Sequence, residues 1–155
     1  MNVGYLTLMI SKVSLRTAQA HDWSAVTTLL VQNHLPAADL TPAMLADFLV
    51  AEMDARVIGV VGCELRGECA LFRSLAVAPA HRNQGVANAL TRELERRCVS
   101  AGIKRAYLLT RTAVLFAEKY GFRAIPRTTA PQDIRNTSEF LADCCTAASC
   151  MAKDL

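Results

Sequence analysis

The residues with the clearest use in chemistry lie between Leu75 and Ala87, where an apolar stretch passes into a polar loop with one glycine. The apolar stretch predicts a strand, and the residues after Gly85 predict the start of a helix. The first amide groups of a helix lack partners within it and lie at the positive end of its dipole. Such a turn can hold a phosphate or pyrophosphate group. Gly85 would allow close approach, and Arg82 would add positive charge.

An ordinary strand-to-helix loop has the same residue types and stays the alternative interpretation of this stretch. The distribution of basic residues bears on the kind of ligand. The net charge is only +3, but ten of the seventeen Lys and Arg residues lie between Arg82 and Arg127, with three glutamates among them. Such a strongly basic half of a chain indicates a polyanionic ligand. A phosphorylated cofactor fits better than nucleic acid, because no series of aromatic residues for base stacking accompanies the basic ones.

Two arginines near this stretch are candidates for binding a substrate. Arg73 lies two residues before Leu75, so alternation along a strand predicts that their side chains share a face. A guanidinium there could bind a carboxylate with two hydrogen bonds, although a surface ion pair would explain Arg73 equally well. Arg111, after the next apolar strand, is the second candidate for the same role.

Periodicity and turn residues predict the elements that position these side chains. Strands are predicted at 9–17, 48–52, 57–65, 69–77, 106–110 and 122–126, with a further strand at the end of the chain. Helices are predicted after Asp22, after Thr41-Pro42, at 86–101, at 112–120 and from Pro131 through Phe140. Short turns between the earlier strands imply antiparallel neighbours. The predicted fold class is therefore α/β, one domain with a mixed sheet, and 155 residues suit a single core.

The loop and helix resemble the acetyl-CoA motif of the GNAT N-acetyltransferase superfamily. The family pattern Gln/Arg-x-x-Gly-x-Gly/Ala is matched by Arg82-Asn-Gln-Gly85-Val-Ala87, which follows Leu-Ala-Val and a proline as it does in that family. The later part of the match consists of the strand at 106–110, Ala113, Phe116 and a Gly-Phe pair at 121–122. These features occur in the family's order, and the resemblance extends from Val13 to Pro126.

The resemblance implies the GNAT fold, a mixed and mostly antiparallel sheet flanked by helices, with two parallel strands that splay apart at the acetyl-CoA site. It implies an acetyl-CoA-dependent N-acetyltransferase that needs no metal. Residues 1–10 would form an N-terminal extension and residues 11–155 the acetyltransferase domain. Phe116 would line the pantetheine, a role that does not exclude packing in the core. The implied cofactor-binding residues are Leu75, Ala76, Val77, Arg82, Asn83, Gln84, Gly85, Val86, Ala87, Thr110 and Phe116.

The chain departs from the family at the positions that often supply the catalytic acid and base. Ala117 stands where many members have a tyrosine, and Leu71 where many have a glutamate. Tyr120 is the candidate replacement for the acid, although its side chain leaves the helix on a different side from that of Ala117. Glu68 is the candidate base, acting through water, and Glu64 is a second nearby carboxylate. A solvated surface position is the alternative for both carboxylates.

Several segments resemble families that acetylate α-amino acids. Residues 73–77 (RSLAV) and 108–113 (LLTRTA) are similar to the acetyltransferase domains that make N-acetylglutamate. Residues 134–140 and 145–151 resemble small GNAT proteins of bacterial arsenic-resistance operons, whose proposed substrates include organoarsenical glutamate analogues such as arsinothricin. The implied acceptor is the primary α-amine of a small amino-acid-like molecule. Alternatives are a polyamine, an aminoglycoside or a protein N-terminus as acceptor, or a regulator that binds CoA or a metalloid without turnover.

The six cysteines and the apolar content bear on location and partners. No export signal is recognisable, so reduced thiols and a cytoplasmic protein are expected. Cys144, Cys145 and Cys150 could bind trivalent arsenic as soft thiolates, with ordinary packing as the alternative. No apolar run approaches the roughly 20 residues that span a bilayer, so no membrane partner is expected. An apolar content of 52% leaves room for a homodimer face.

Overall fold

The chain folds around one seven-stranded sheet. The computed structural model of the protein describes residues 12–142 and 147–155. The strands are β1 Val13–Thr17, β2 Phe48–Met53, β3 Arg56–Arg66, β4 Cys69–Val77, β5 Arg105–Thr110, β6 Arg123–Ile125 and β7 Ser149–Asp154. They lie in the order β1-β2-β3-β4-β5-β7-β6. Each neighbouring pair is antiparallel except β4 and β5, which are parallel, so the sheet is mixed as predicted.

Helices flank the sheet on both faces. Those in the described residues are α1 Trp23–Gln32, α2 Val86–Ser100, α3 Val114–Lys119, α4 Gln132–Arg135 and α5 Ser138–Leu141. Short 3-10 helices lie at Ala20–Asp22, Pro42–Asp47, Pro79–His81 and Arg127–Thr129. The single helix predicted from Pro131 through Phe140 is instead α4 followed by α5. Thr137 interrupts it because its backbone is extended, and its hydroxyl donates to the carbonyl of Ile134 over 2.6 Å.

Apolar layers hold the helices on the sheet. On one face, α2 packs through one buried stripe, as its periodicity predicts. The buried apolar residues of that stripe are Val86, Leu90, Leu94 and Cys98. On the other face lie α1, Pro42–Asp47, α4 and α5, where Leu30, Phe48 and Ile134 are fully buried. Burial of each such side chain contributes about 1.5–3 kcal/mol relative to exposure.

An irregularity in β4 shapes the centre of the sheet. Gly62 of β3 pairs with Arg73, and the next pair joins Val60 to Ala76, so two residues of β4, 74 and 75, oppose the single residue 61 of β3. This β-bulge contains Ser74, whose φ of +62° lies in the left-handed region. A bulge bends and twists the strand that carries it. Pairing between β4 and β5 ends at Phe72 with Leu108, and beyond this pair the two parallel strands separate.

The bulge also corrects one prediction about side-chain direction. Arg73 and Leu75 were predicted to share a face by simple alternation, but the extra residue changes the phase of the strand. Leu75 packs against the apolar layer beneath α2. Arg73 points to the opposite face, where its guanidinium contacts Glu64. The prediction that the two side chains share a face is therefore wrong.

The described part of the chain begins at residue 12, directly before β1. The strand predicted at 9–17 is β1, Val13–Thr17, and residues 1–11, including the predicted N-terminal extension, lie outside the described residues.

Cys63, Cys69, Cys98 and Cys150 are free thiols. Cys144 and Cys145 also lie outside the described residues. Across the described ranges, no helix has the length and apolar character needed to cross a membrane.

Gly62→Ala tests the contact between β3 and Phe48. A Cβ atom at position 62 would overlap the ring of Phe48, which is fully buried. We expect the substitution to lower the free energy of unfolding by about 1–3 kcal/mol, because the ring or the strand must move. Urea denaturation followed by circular dichroism measures this loss. In a Phe48→Leu background the same substitution should cost less, and an equal cost in both backgrounds would contradict the contact.

Candidate functional site

The loop between β4 and α2 has the backbone geometry that the sequence predicts for anion binding. Gly85 precedes α2 as its N-cap, with φ at +85° in the left-handed region that favours glycine. The amide of Ala89 donates to the carbonyl of Gly85 over 3.0 Å, so the amides of 86–88 precede it in the first turn. These N–H groups point out of the helix at the positive end of its dipole, where an anion is stabilised.

Arg82 fixes this loop against two other elements. Its Nε donates to the carbonyl of Val77 at the end of β4 over 3.3 Å, and its Nη2 donates to Oδ1 of Asn33 over 2.7 Å. Asn33 directly follows α1. Arg82, Asn83 and Gln84 are all exposed beside the first turn of α2. The guanidinium therefore both ties the loop down and adds positive charge where an anion would bind.

The predicted cofactor residues of the two parallel strands lie on either side of one opening. Ala76 pairs with Val60 and Val77 pairs with Gly59, so the other edge of this part of β4 faces the gap left by β5. At the end of β5, Oγ1 of Thr110 accepts a hydrogen bond from the amide of Ala113 over 2.9 Å, which starts the turn into α3. Residues 75–77 and Thr110 therefore lie at the same end of two neighbouring parallel strands, and residues 82–87 follow β4 at that end.

Phe116 and Tyr120 join α3 to the first turn of α2. Their rings lie 5.0 Å apart between centroids, and both residues are half-buried. The Tyr120 hydroxyl donates to Oδ1 of Asn88 in a very short contact. Ala117, at the position where the family often has tyrosine, is buried in the core. The hydroxyl of Tyr120 therefore lies at the anion-binding end of α2, and its role as a catalytic acid stays a prediction.

Glu68 lies far from the opening. It belongs to the turn between β3 and β4, its side chain is 70% exposed, and it forms an ion pair with Lys104 over 3.2 Å. Ser74 lies six positions further along the chain, a distance of about 20 Å at roughly 3.3 Å per residue of strand. The catalytic role predicted for Glu68 does not fit this position, and the surface alternative does.

Arg73 is enclosed by carboxylates of the chain itself. Its side chain is 0% exposed. Asp39 binds both terminal nitrogens, at 2.5 and 2.8 Å, and Glu64 binds Nη1 at 3.0 Å. Glu139 of α5 binds Nε at 3.0 Å. Ser138 bridges Asp39 and Glu64 through its hydroxyl, at 2.8 and 3.2 Å. These five residues are called the Arg73 cluster below.

This arrangement corrects the role predicted for Arg73. A guanidinium that already binds three carboxylates, and that has no exposed surface, is not presented to the carboxylate of a substrate. It is not a surface ion pair either. Arg111, the second candidate, is exposed directly after β5 at the edge of the opening. Its predicted role as a clamp for a carboxylate stays a prediction.

The charges within the Arg73 cluster do not balance. One guanidinium faces three carboxyl groups, so the cluster carries excess negative charge when all of them are ionised. Burial alone would raise the pKa of Asp39, but its hydrogen bonds and charge contact with Arg73 prevail and lower it. Burial raises the pKa of Glu139 to about 7, and the charges of Asp39 and Glu64 reinforce this rise against the opposing effect of Arg73. Glu139 is thus the member of the cluster that takes up a proton near neutral pH.

A pocket of about 440 Å³ adjoins the Arg73 cluster. Asp39, Glu64 and Ser138 line the pocket and also belong to the cluster. Asp47 and Arg66 line it as well, so three carboxylates and one guanidinium surround the cavity. It lies on the face of the sheet that carries α1, α4 and α5, opposite to α2. It is called the Asp39 pocket below.

A second cavity, of about 540 Å³, extends along α2 near Tyr120. Its charged lining is mainly basic and consists of Arg92, Glu95, Arg96, Lys119 and Lys153. One of the lysines, Lys153, is paired with Glu95 over 2.7 Å. The groove adjoins the N-terminal turn of α2 through the contact between Tyr120 and Asn88. Its charge favours an anionic group.

Metal ligation finds no support in the described ranges, where no group of three or more His, Cys, Asp and Glu side chains could hold a metal ion. In the Arg73 cluster the guanidinium occupies the centre that a cation would take. Cys150, one of the predicted thiol ligands, is buried in β7 within the layer that contains Leu71 and Phe140. The interpretation of Cys150 as a packing residue fits this position.

Sequence reasoning missed several residues of the site. Asp39 belongs to no motif, and Asn88 was hidden on the polar side of an amphipathic helix. Ser138 and Glu139 lie in the segment 134–140, whose resemblance to known proteins gave neither of them a role. Only Glu139 gave a signal, as an acidic residue beside the apolar pair Phe140 and Leu141 in a helix predicted to pack on the sheet. Nothing local to the loop that contains Asp39 indicates that its carboxylate turns inward.

Comparison with known proteins establishes the family. Residues 45–124, just over half of the chain, match the family model of the acetyltransferase (GNAT) domain. A curated acetyltransferase from Pectobacterium atrosepticum is 30% identical over 108 residues, which cover 64% of this chain and 77% of that protein. The chain therefore belongs to the GNAT acetyltransferase family, and the predicted family and enzyme class are confirmed.

Solved structures confirm the fold. N-acetylglutamate synthase from Neisseria gonorrhoeae, complexed with coenzyme A and N-acetyl-glutamate, matches with a TM-score of 0.80 at 18% identity. That match covers 92% of this chain but only 35% of the synthase, so the chain spans about a third of the synthase's length. A Mycobacterium tuberculosis protein in complex with CoA and NLQ has a TM-score of 0.74 at 21% identity, covering 92% of this chain and 99% of that one.

Glu139→Gln should change how stability depends on pH. The folded state holds a proton on Glu139 up to pH about 7, whereas the unfolded chain releases it near the ordinary value of 4.5. The free energy of unfolding therefore falls by about 3 kcal/mol as pH rises from 4.5 to 7, because each pH unit contributes about 1.4 kcal/mol. The variant lacks this loss, so its unfolding free energy relative to the wild type should increase across that range. Urea denaturation at a series of pH values measures the difference.

The matched control for this experiment is Glu52→Gln. Glu52 is a carboxylate paired with Arg16 over 2.7 Å at the other side of the sheet, and its side chain is 30% exposed. The variant makes the same chemical change outside the Arg73 cluster, so an equal increase in both variants would show that the effect is not specific to the cluster. A flat difference for Glu139→Gln would contradict the pKa that the cluster imposes on Glu139.

Proposed function

We propose that this chain transfers the acetyl group of acetyl-CoA to the primary amine of a small, amino-acid-like substrate. The observation that carries the proposal is the opening between β4 and β5, which begins at the bulge and ends at the N-terminus of α2. An opening of this kind suits a long cofactor with a pyrophosphate at its middle and a thioester at its end. Membership of the GNAT family and the CoA bound to two of the structural neighbours support the same cofactor.

In this proposal the cofactor lies along backbone groups. The amides of 86–88 hold the pyrophosphate, with Arg82 adding charge, and the free edge of residues 75–77 accompanies the pantetheine. Phe116 lines the pantetheine beside the first turn of α2. The basic groove along α2 suits the phosphorylated adenosine end. Residues 11–155 act as one acetyltransferase domain.

The Asp39 pocket is the proposed site of the acceptor. It lies on the opposite face of the sheet from α2, so acceptor and cofactor approach the opening from different sides. Asp47, the lining carboxylate outside the Arg73 cluster, suits an ammonium group. Arg66, which also contacts Glu64 over 3.5 Å, and Arg111 near the opening suit a carboxylate. Charges of both signs match a zwitterion. An amino acid is therefore the acceptor class that the pocket supports best.

The chemical step requires few side chains. A neutral amine attacks the thioester carbonyl, and a backbone N–H near residues 75–77 stabilises the oxygen as negative charge develops on it. Orientation of two bound reactants can supply on the order of 7–11 kcal/mol of the reduction in the barrier. Tyr120 is the proposed acid for the leaving thiolate, although its hydroxyl donates to Asn88 in this structure.

Two classes of molecule are candidates for the acceptor. The resemblance of residues 134–140 and 145–151 to proteins of arsenic-resistance operons supports an organoarsenical glutamate analogue, whose α-amine would be acetylated. A polyamine or another cationic amine is the second candidate, because three carboxylates against one guanidinium line the Asp39 pocket. The two differ in whether a carboxylate on the acceptor is required for turnover.

Gly85→Ala tests the proposed cofactor site. Both Gly85 and Gly102 have left-handed φ values, +85° and +84°, at opposite ends of α2, and an added Cβ atom would meet nothing at either. Alanine at each position should cost about 1 kcal/mol of stability. Only Gly85→Ala should weaken acetyl-CoA binding, by about tenfold, equivalent to about 1.4 kcal/mol. Isothermal titration measures both variants, and equal affinities would contradict the site.

Release of CoA thiol across a panel of amines tests the proposed reaction. The panel holds L-glutamate, other amino acids, phosphinothricin, an arsenic-bearing glutamate analogue, polyamines and aminoglycosides. We expect turnover with amines that carry an α-carboxylate, and its loss in Arg111→Ala with acetyl-CoA affinity retained. Turnover confined to polyamines would support the second candidate. No turnover with any amine, despite acetyl-CoA binding, would contradict the proposed function and favour a regulator.

A further inference from the structure

The proposed reaction leaves one chemical requirement without a residue. An acceptor that arrives as an ammonium ion must lose a proton before its nitrogen can attack the thioester. The position at which the family often has a glutamate is Leu71 here, and Glu68 lies at the wrong end of β4. A buried carboxylate next to the bulge would meet this requirement, and the Arg73 cluster contains three carboxylates.

Two of these carboxylates are committed to other contacts. Both oxygens of Asp39 bind the guanidinium of Arg73, and Oδ2 also accepts from Ser138. Oε2 of Glu64 binds Arg73, while Oε1 accepts from the backbone amide and the hydroxyl of Ser138, at 3.4 and 3.2 Å. Every oxygen of these two carboxylates therefore already contacts at least one donor of the cluster.

Glu139 differs from both. Its ion pair with Arg73 runs through Oε2 to Nε, the nitrogen that also donates to Oγ of Ser74 within the bulge. Oε2 of Glu139 and Oγ of Ser74 therefore contact the same nitrogen of Arg73, at 3.0 and 3.1 Å, and Ser74 lies where β4 leaves β5. It is 5% exposed, and the adjacent Ser138 lines the Asp39 pocket.

We propose that Glu139 accepts the proton of the acceptor's ammonium group, and that Arg73 is the positioning residue that holds Glu139 beside the bulge. This inference rests on the proposed function. Because Glu139 is buried and does not itself line the Asp39 pocket, R–NH3⁺ gives one proton to its carboxylate through one water, and the nitrogen lone pair forms the N–C bond. The C–S bond breaks, the thiolate takes the proton of the Tyr120 hydroxyl, and the second proton released by the nitrogen restores that hydroxyl. Glu139 returns its proton to water.

The charges around Glu139 explain why it can do this near neutral pH. The charged groups that face it are Arg73 from β4, Glu64 from β3 and Asp39 from the loop after α1. Burial and the two neighbouring carboxylates favour a proton on Glu139, and Arg73 opposes it, so its pKa is about 7. A general base works best when its pKa lies close to the working pH.

The pH profile of Glu139→Gln tests the assignment. The substrate is the amine that the wild type acetylates best in the panel, with L-glutamate tried first. For the wild type, kcat/KM for this amine should rise with pH through an inflection near 7, the value set by Glu139. Glu139→Gln should lose that inflection and on the order of 100-fold in kcat, with acetyl-CoA affinity unchanged. Amines of different basicity should leave this inflection in place.

Two further variants separate positioning from a structural role. In Arg73→Lys the positive charge lies less close to Glu139, so the inflection should move to higher pH, with the protein still folded. Glu139→Asp keeps a carboxylate and should retain an inflection at reduced kcat. Glu52→Gln, which removes a carboxylate paired with Arg16, should match the wild type in every measurement.

The outcomes distinguish the failure of this inference from the failure of the proposed function. Wild-type turnover together with an unaltered profile and kcat in Glu139→Gln would overturn the role of Glu139 alone. Loss of acetyl-CoA binding in Glu139→Gln, or an equal loss of activity in Glu52→Gln, would indicate a structural role and also overturn it. Absence of turnover with every amine would contradict the proposed function, and this inference with it.

Discussion

The bulge in β4 is the constraint on which the rest of the site depends. Inside a continuous sheet, backbone N–H and C=O groups pair with neighbouring strands and are closed to ligands. Ser74 accepts a left-handed backbone, and the residue that is thereby added ends the pairing with β5 after Phe72. Beyond Phe72, β4 therefore has no partner strand on the β5 side, although β4 lies in the middle of the sheet. The same extra residue turns Leu75 toward α2 and leaves Arg73 on the other face.

Both halves of the proposed active site follow from this opening. On one side, the end of β4 leads through Arg82 to the exposed amides of α2, which suits the cofactor. On the other side, the Arg73 cluster draws the loop after α1, β3 and α5 together around a single guanidinium. Removal of one partner from a buried ion pair is strongly destabilising, by about 3–5 kcal/mol, so Arg73 also sets the geometry of these three segments. Removal of Glu139 is the exception to this cost, because burial of its carboxylate in the charged form is already unfavourable.

Much of the fold could be predicted from the sequence because periodicity and turn residues are local. β4 was predicted with its observed bounds, and the end of α2 within one residue. The anion-binding loop was predicted because Gly85 and the helix start are adjacent in the chain. The Arg73 cluster could not be predicted, since Asp39 and Glu139 lie 34 residues before and 66 residues after Arg73. Nor could the bulge, because alternation assumes that no residue is inserted.

The account joins a cofactor on one face of the sheet to an acceptor on the other, and both depend on the gap between β4 and β5. A crystal structure of the protein with CoA bound tests this most directly. The account predicts the pyrophosphate within hydrogen-bonding distance of the amides of 86–88, with the pantetheine between the strands beyond Phe72. CoA bound elsewhere, or β5 paired with β4 as far as Val77, would contradict it.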